Sequence, residues 1–153
     1  QHPMWKSMKS YVTYKPLNAV GHKAFDFTVK GHDGKKITLS KVLKKNKVVL
    51  VDFWASWCGP CRHEMPNVKA AYEKYVSKGF EVISISTDRK LKSWRAAIEE
   101  LGMNWTQLLD VDAGDVYGIY AIPRTFLVDP TGIVIDKNLR GEKLEEALSK
   151  LFE

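Results

Sequence analysis

Two cysteines, Cys58 and Cys61, are the only thiols in the chain, separated by Gly59 and Pro60. Thiols three positions apart at the first turn of a helix can close a small disulfide loop. At a helix start the unpaired backbone N–H groups and the macrodipole favour negative charge. Cys58 is therefore predicted to lie exposed beyond the helix end as the nucleophile, with Cys61 tucked inside as the resolving thiol. A thiol of pKa about 8.5 is roughly 3% ionised at neutral pH, whereas one lowered to about 7 is half ionised. Other uses of such a pair fit less well. A structural zinc site needs two more ligands at metal spacing, but no other cysteine exists and His63 is adjacent on the same helix. Haem attachment needs histidine directly after the second cysteine, where Arg62 stands. An inert structural disulfide stays open, although a 58–61 bridge closes too short a loop to add much stability. Redox chemistry is the favoured reading.

The elements around the pair must hold it at a strand-to-helix junction. Val48–Trp54 is a continuous β-rich run that reads as a central strand buried on both faces. From about Pro60 to Ser77, Met65, Val68, Tyr72, Tyr75 and Val76 fall on one face of a 3.6-residue period, so a helix is predicted, kinked at Pro66 and ended by Gly79. Phe80–Ser86 is a second buried strand. Upstream, Phe25, Phe27 and Val29 alternate with polar residues, a turn follows at His32–Lys35, and Lys36–Leu39 returns as a hairpin partner. Ser40 is expected to cap a short helix to about Lys45. Downstream come a helix over Leu91–Leu101, a strand over Trp105–Leu109 and a short helix over Ala113–Tyr117. Two strands, Arg124–Asp129 and Gly132–Asp136, and a helix over Glu142–Phe152 complete the order. That order implies a mixed sheet with helices on both faces. Residues 1–19 read as an arm or linker remnant and 20–153 as the folded domain.

With 153 residues, 44% of them hydrophobic, the chain can bury a substantial core. Its longest apolar run, Val48–Ala55, is interrupted by Asp52 and too short to span a bilayer. The net charge of +6 is concentrated in residues 1–50. The lysines of Lys41–Lys47 are not interleaved with aromatics, so a solvated face is expected and no nucleic-acid partner. His2, His22 and His32 are scattered and read as solvent-facing. Asp110–Asp115 has some of the acids of a calcium loop, but Gly114 falls one place early and Ala121 stands where the last acid belongs, so no metal is expected. The chain begins at Gln1 without methionine, which points to processing or trimming and to a lost signal, membrane anchor or preceding domain.

Val51–Cys61 with Pro66 resembles thioredoxin. Phe25-Asp26-Phe27 before Gly34, Phe53–Cys58, Glu64-Met65-Pro66, and Ile122–Asp129 followed by Gly132 resemble more closely the extracytoplasmic thioredoxin-like proteins of the TlpA/ResA type. The resemblance covers about Val20 to Phe152. It implies an α/β thioredoxin fold, a central mixed sheet flanked by helices, with an N-terminal β-hairpin and a central αβ insertion. Pro123 matches the family's cis-proline, facing the cysteines and leaving the backbone of Ile122 free to pair with an extended substrate strand. Asp52 matches the buried acid of thioredoxin; desolvation should raise its pKa and suit it to moving the Cys61 proton, the alternative being an ion-paired core acid. Glu64 matches the acid after the second cysteine in TlpA/ResA-type proteins, the alternative being a solvated first-turn acid. Many such relatives carry Asn at position 52, so the chain holds two candidates for proton transfer. Trp57, Gly59 and Pro60 would shape the client-docking surface. Arg124 departs from the family's usual Thr.

The resemblance implies a thiol–disulfide oxidoreductase that reduces client protein disulfides and is recharged by an upstream thiol protein. It needs no cofactor beyond the Cys58–Cys61 disulfide, and is monomeric and extracytoplasmic. The alternatives are a redox-inactive client-binding module and a general cytosolic thioredoxin. The intact cysteine pair speaks against the first; the hairpin at Phe25–Leu39 and the added Asp88–Trp105 segment speak against the second. No peroxide-reducing cysteine motif is present.

Overall fold

A computed structural model describes residues 19–31 and 33–153. The arm expected over residues 1–19, apart from Ala19, and both His2 and His32 lie outside the described residues. The elements run β1 (Thr28–Lys30), β2 (Lys36–Thr38), α1 (Leu39–Lys44), β3 (Val48–Trp54), α2 (Gly59–Tyr75), β4 (Phe80–Ser86), α3 (Leu91–Leu101), β5 (Thr106–Leu109), α4 (Ala113–Tyr117), β6 (Arg124–Val128), β7 (Val134–Lys137) and α5 (Glu142–Phe152).

Five strands form one sheet in the order β5-β4-β3-β6-β7. β3 pairs parallel with β4 and β4 parallel with β5, joined by the crossover helices α2 and α3. β6 lies antiparallel to β3, and β7 antiparallel to β6. Every residue of β3 is buried because both faces of the sheet are covered. Val48, Leu50 and Trp54 face one layer, with Met65 and Val68 of α2, Trp94 of α3, and Leu144 and Leu148 of α5. Val49, Val51 and Phe53 face the other, with Phe27, Leu39, Leu43 and Tyr117. Each such side chain contributes about 1.5–3 kcal/mol by leaving water. The alternation puts Asp52 on the α2 face.

The thioredoxin-like architecture, its amino-terminal hairpin included, is as the resemblance implied. Three local expectations need correction. The alternation from Phe25 does not make a strand, and β1 begins only at Thr28. Asp26 Oδ1 accepts the N–H of Phe27 (3.1 Å) and of Ser40 (2.9 Å), which turns residues 25–27 away from the ladder. The rings of Phe25 and Phe27 instead pack on Tyr117, with centroids 5.6 and 5.8 Å away. Ser40 does not cap α1. The N-cap is Thr38, whose hydroxyl is hydrogen-bonded to that of Thr28 at 2.8 Å, so the oxygen serving the helix start comes from Asp26. Finally, α2 stops at Tyr75 and tightens into a 3₁₀ turn over Val76–Lys78 before Gly79, whose φ of 107° is the left-handed turn that ends it. The lysines at 41, 44, 45 and 47 are exposed, as a solvated face requires.

Candidate active site

The cysteine pair sits where β3 ends and α2 begins. Cys58 is the N-cap of α2, in extended backbone, and Pro60 occupies the first turn, where its missing N–H leaves no hydrogen bond broken. Cys58 and Cys61 are joined by a disulfide, with Cα atoms 5.3 Å apart. The Cys61 N–H donates to Cys58 Sγ at 3.2 Å, so the sulfur takes the place of the oxygen that usually caps a helix. Cys58 does not project freely from the helix end as its position led us to expect. It is 4% exposed against 1% for Cys61, and both belong to the apolar layer beneath the helix start. Access is asymmetric but narrow. The neighbouring Trp57 is 71% exposed, and Gly59 and Pro60 are exposed too.

Asp52 lies on the α2 face of β3 and is 3% exposed. Its register partner on β4 is Ser84, whose hydroxyl donates to Asp52 Oδ2 at 3.1 Å. Trp105 Nε1–H, which can only donate, reaches Ser84 Oγ at 2.8 Å and leaves the hydroxyl proton for the acid. Asp52 is raised from its usual 3.8 to about 7, chiefly by burial; the Ser84 hydrogen bond pulls it down and the charge of Glu64 pushes it up. Glu64 is half-buried on α2. Its Oε2 accepts the Gly141 N–H at 2.7 Å and the Asn67 side-chain amide at 3.2 Å, so it ties α2 to the start of α5.

Opposite elements supply the remaining candidates. The Ile122–Pro123 peptide is cis. Pro123 is buried, while Ile122 is half-buried and borders both apolar layers. Arg124 opens β6, paired in register with Phe53, and its Nε donates to Ala121 O at 3.3 Å. Among the described residues no three His, Cys, Asp or Glu side chains converge as a metal site.

Sequence reasoning missed the clamp on the loop between β3 and Cys58. Asp88, 2% exposed, accepts the Ser56 N–H at 2.9 Å, the Ser56 hydroxyl at 2.7 Å and the Ser86 hydroxyl. Arg62 holds the other end of the same residue, donating to Ser56 O at 3.1 Å while pairing with Glu100 at 2.7 Å. A signal was available. Parallel strands in register end together, Trp54 opposite Ser86, so Ser56 and Asp88 each lie two residues past their strand.

A thioredoxin fold with a disulfide-bonded Cys-Gly-Pro-Cys at the start of its central helix defines a thiol–disulfide oxidoreductase. The chain belongs to the AhpC/TSA family, whose sequence profile matches residues 20–137. It is 32% identical over 145 residues to the thiol-disulfide oxidoreductase ResA of Bacillus thuringiensis subsp. konkukian, covering 93% of this chain and 82% of that protein. Among solved structures it resembles the thioredoxin domain of a thiol-disulfide oxidoreductase from Bacteroides vulgatus, with a TM-score of 0.81 and 37% identity over 88% of this chain and 99% of that one. A thiol:disulfide interchange protein from Bacteroides sp. superposes with a TM-score of 0.80 at 37% identity, covering 89% and 91% of the two chains.

Proposed function

We propose that this oxidoreductase works as a reductase of client protein disulfides. The Cys58 thiolate attacks one sulfur of a client disulfide, forming a mixed disulfide and expelling the other client sulfur as a thiolate. Cys61 then gives its proton to Asp52 and attacks Cys58 Sγ, which releases the second client thiol and leaves the Cys58–Cys61 disulfide. Two electrons pass to the client, and an upstream thiol protein returns them. The observation that carries this is a cysteine pair at a helix start with a buried acid of pKa about 7 on the strand face below it. An acid poised there can both take and return a proton near neutrality.

In this scheme Trp57, Gly59 and Pro60 border the sulfur that is attacked, and Ile122 with Pro123 offers backbone to an extended client segment. Glu64 acts on the proton through its charge on Asp52. The folded unit runs from residue 20 to 153. An extracytoplasmic location follows from the resemblance to TlpA/ResA-type proteins; among the described residues no helix is long and apolar enough to cross a membrane.

Substitution of each cysteine tests the scheme. Cys58→Ser should abolish reduction of insulin-type disulfides, and Cys61→Ser should accumulate mixed disulfides visible on a non-reducing gel. Full activity in Cys58→Ser would overturn the nucleophile assignment. The Gly59-Pro60 pair is that of reducing thioredoxins, so the titrated potential should lie below about −200 mV. The span from about −270 mV for thioredoxin to about −120 mV for DsbA corresponds to roughly 7 kcal/mol for two electrons, so the measurement separates reductant from oxidant cleanly.

A further inference from the structure

Beside the cis-proline lies an open groove of about 490 Å³ whose lining includes Ile122, Pro123, Arg124, Asn138, Arg140 and Lys143. Three of these six side chains are cations and none is an acid. Among the described residues no carboxylate forms an ion pair with any of the three. Glu64, beside the start of α5, is engaged by the amides of Gly141 and Asn67. An excess of one charge facing open solvent, at the edge where a client would lie, is a selectivity element rather than a stabilising one.

The two arginines are also fixed relative to that edge. Arg124 Nε donates to Ala121 O at 3.3 Å, and Arg140 Nη2 donates to Pro123 O at 3.1 Å. Their guanidinium groups thus bracket Ile122 on the carbonyls before and after it. Each uses one of its five N–H donors on the backbone, leaving the rest for a planar anion such as a carboxylate. Asn138, at φ 53°, makes the bend after β7; its N–H donates to Thr125 O at 2.8 Å and its Oδ1 accepts from Thr125 N at 3.3 Å. That bend leads directly to Arg140. Lys143, the second residue of α5, is exposed and supplies the third charge.

We propose that this groove selects client disulfides whose flanking segment is acidic, an extended peptide carrying Asp or Glu next to the target cysteine. The proposal rests on the reductase function above and names the substrate class for that site. The client strand lies along Ile122, with its sulfur over Cys58 and its carboxylates on Arg124, Arg140 and Lys143. Exposed charge pairs are weak singly, so three acting together should give a preference of about 5- to 20-fold, sensitive to salt.

The test compares three disulfide peptides of one sequence that differ only in the flanking residues: Asp/Glu, Asn/Gln or Lys/Arg. The reading is kcat/KM for their reduction by the intact protein at low salt and at about 0.5 M salt, where screening weakens exposed charge pairs. The acidic peptide should be reduced fastest and the basic one slowest, with the spread shrinking at high salt. In Arg124→Gln/Lys143→Gln the acidic-to-neutral ratio should fall towards one, and Lys143→Glu should shift the preference towards the basic peptide. Equal rates for acidic and neutral peptides, or a ratio that survives in the double variant, would overturn the selectivity while leaving the reductase intact. Loss of the acidic preference in millimolar inorganic phosphate, without any effect of the two substitutions, would assign the anion site elsewhere. Failure to reduce even the neutral peptide would overturn the reductase function and this proposal with it.

Discussion

At the scale of single residues, Asp52 decides most. A carboxylate buried in a strand pays for desolvation either by finding a cation or by keeping its proton, and here the partners are a hydroxyl and the repelling charge of Glu64. The result is an acid raised from 3.8 to about 7, which carries a cost to the fold. Below pH 3.8 Asp52 is protonated in both folded and unfolded chains. Between there and about 7 the folded state holds the proton and the unfolded state does not, so stability falls as pH rises through that window and levels off above it. Asp52→Asn removes the ionisable group but keeps its size. The variant should therefore gain stability over the parent progressively from pH 4 to 7, by up to roughly 4 kcal/mol at the plateau. Urea unfolding of both proteins in the oxidised state across pH 4–8.5 measures this. A constant difference at every pH would show that Asp52 is not held protonated by burial. If Asp52 takes the Cys61 proton as proposed, the same variant should also lose the limb of the pH–rate profile near 7; an unchanged profile would assign that proton elsewhere.

At the scale of elements, the active-site loop is placed by the strand ends rather than by the helix alone. Asp88, just past β4, grips both the N–H and the hydroxyl of Ser56, and Arg62 of α2 grips its carbonyl, so the residue two before Cys58 has its polar groups held from both sides. Asp88→Asn exchanges an all-acceptor carboxylate for a group whose NH2 must face one of these donors. It should cost about 2–3 kcal/mol in urea unfolding and slow disulfide reduction together; an unchanged midpoint would show that the loop is held by backbone packing. The extent to which the sequence discloses such features follows from their range. Val48–Trp54 and Phe80–Ser86 are legible because burial on both faces leaves an unbroken apolar run. Leu91–Leu101, Ala113–Tyr117 and Glu142–Phe152 are legible because a glycine or an amphipathic period marks them. The Cys58–Cys61 pair is legible because its chemistry is local to four residues. Phe25–Phe27 misleads, since its alternation is real but Asp26 diverts the backbone to serve α1. Asp88 is silent because its partner is 32 residues away in sequence, and the basic groove because β6, β7 and the start of α5 must first be brought together. The narrow access to Cys58 is not legible either, because it depends on how the apolar layer under α2 packs around the helix start.

At the scale of the whole molecule, the proposed cycle makes and breaks the one disulfide among the described residues, so it requires a fold that tolerates both oxidation states. The architecture accounts for that tolerance. Two apolar layers, one under α2, α3 and α5 and one under the hairpin with α1 and α4, clasp a sheet whose central strand is wholly buried, and the two cysteines are a small part of one of them. The link itself joins positions only three apart. Chain-entropy scaling gives such a loop about 2 kcal/mol of stabilisation, against about 4.7 kcal/mol for a 100-residue loop. Reduction should thus lower the unfolding free energy by about 2 kcal/mol while leaving the far-ultraviolet circular dichroism unchanged and the transition cooperative. Paired urea titrations, with and without excess dithiothreitol, measure the difference directly. A loss beyond about 5 kcal/mol, or a reduced protein that no longer unfolds cooperatively, would mean that the disulfide holds the structure together, and a bond that the fold cannot do without is a poor carrier of electrons to a client.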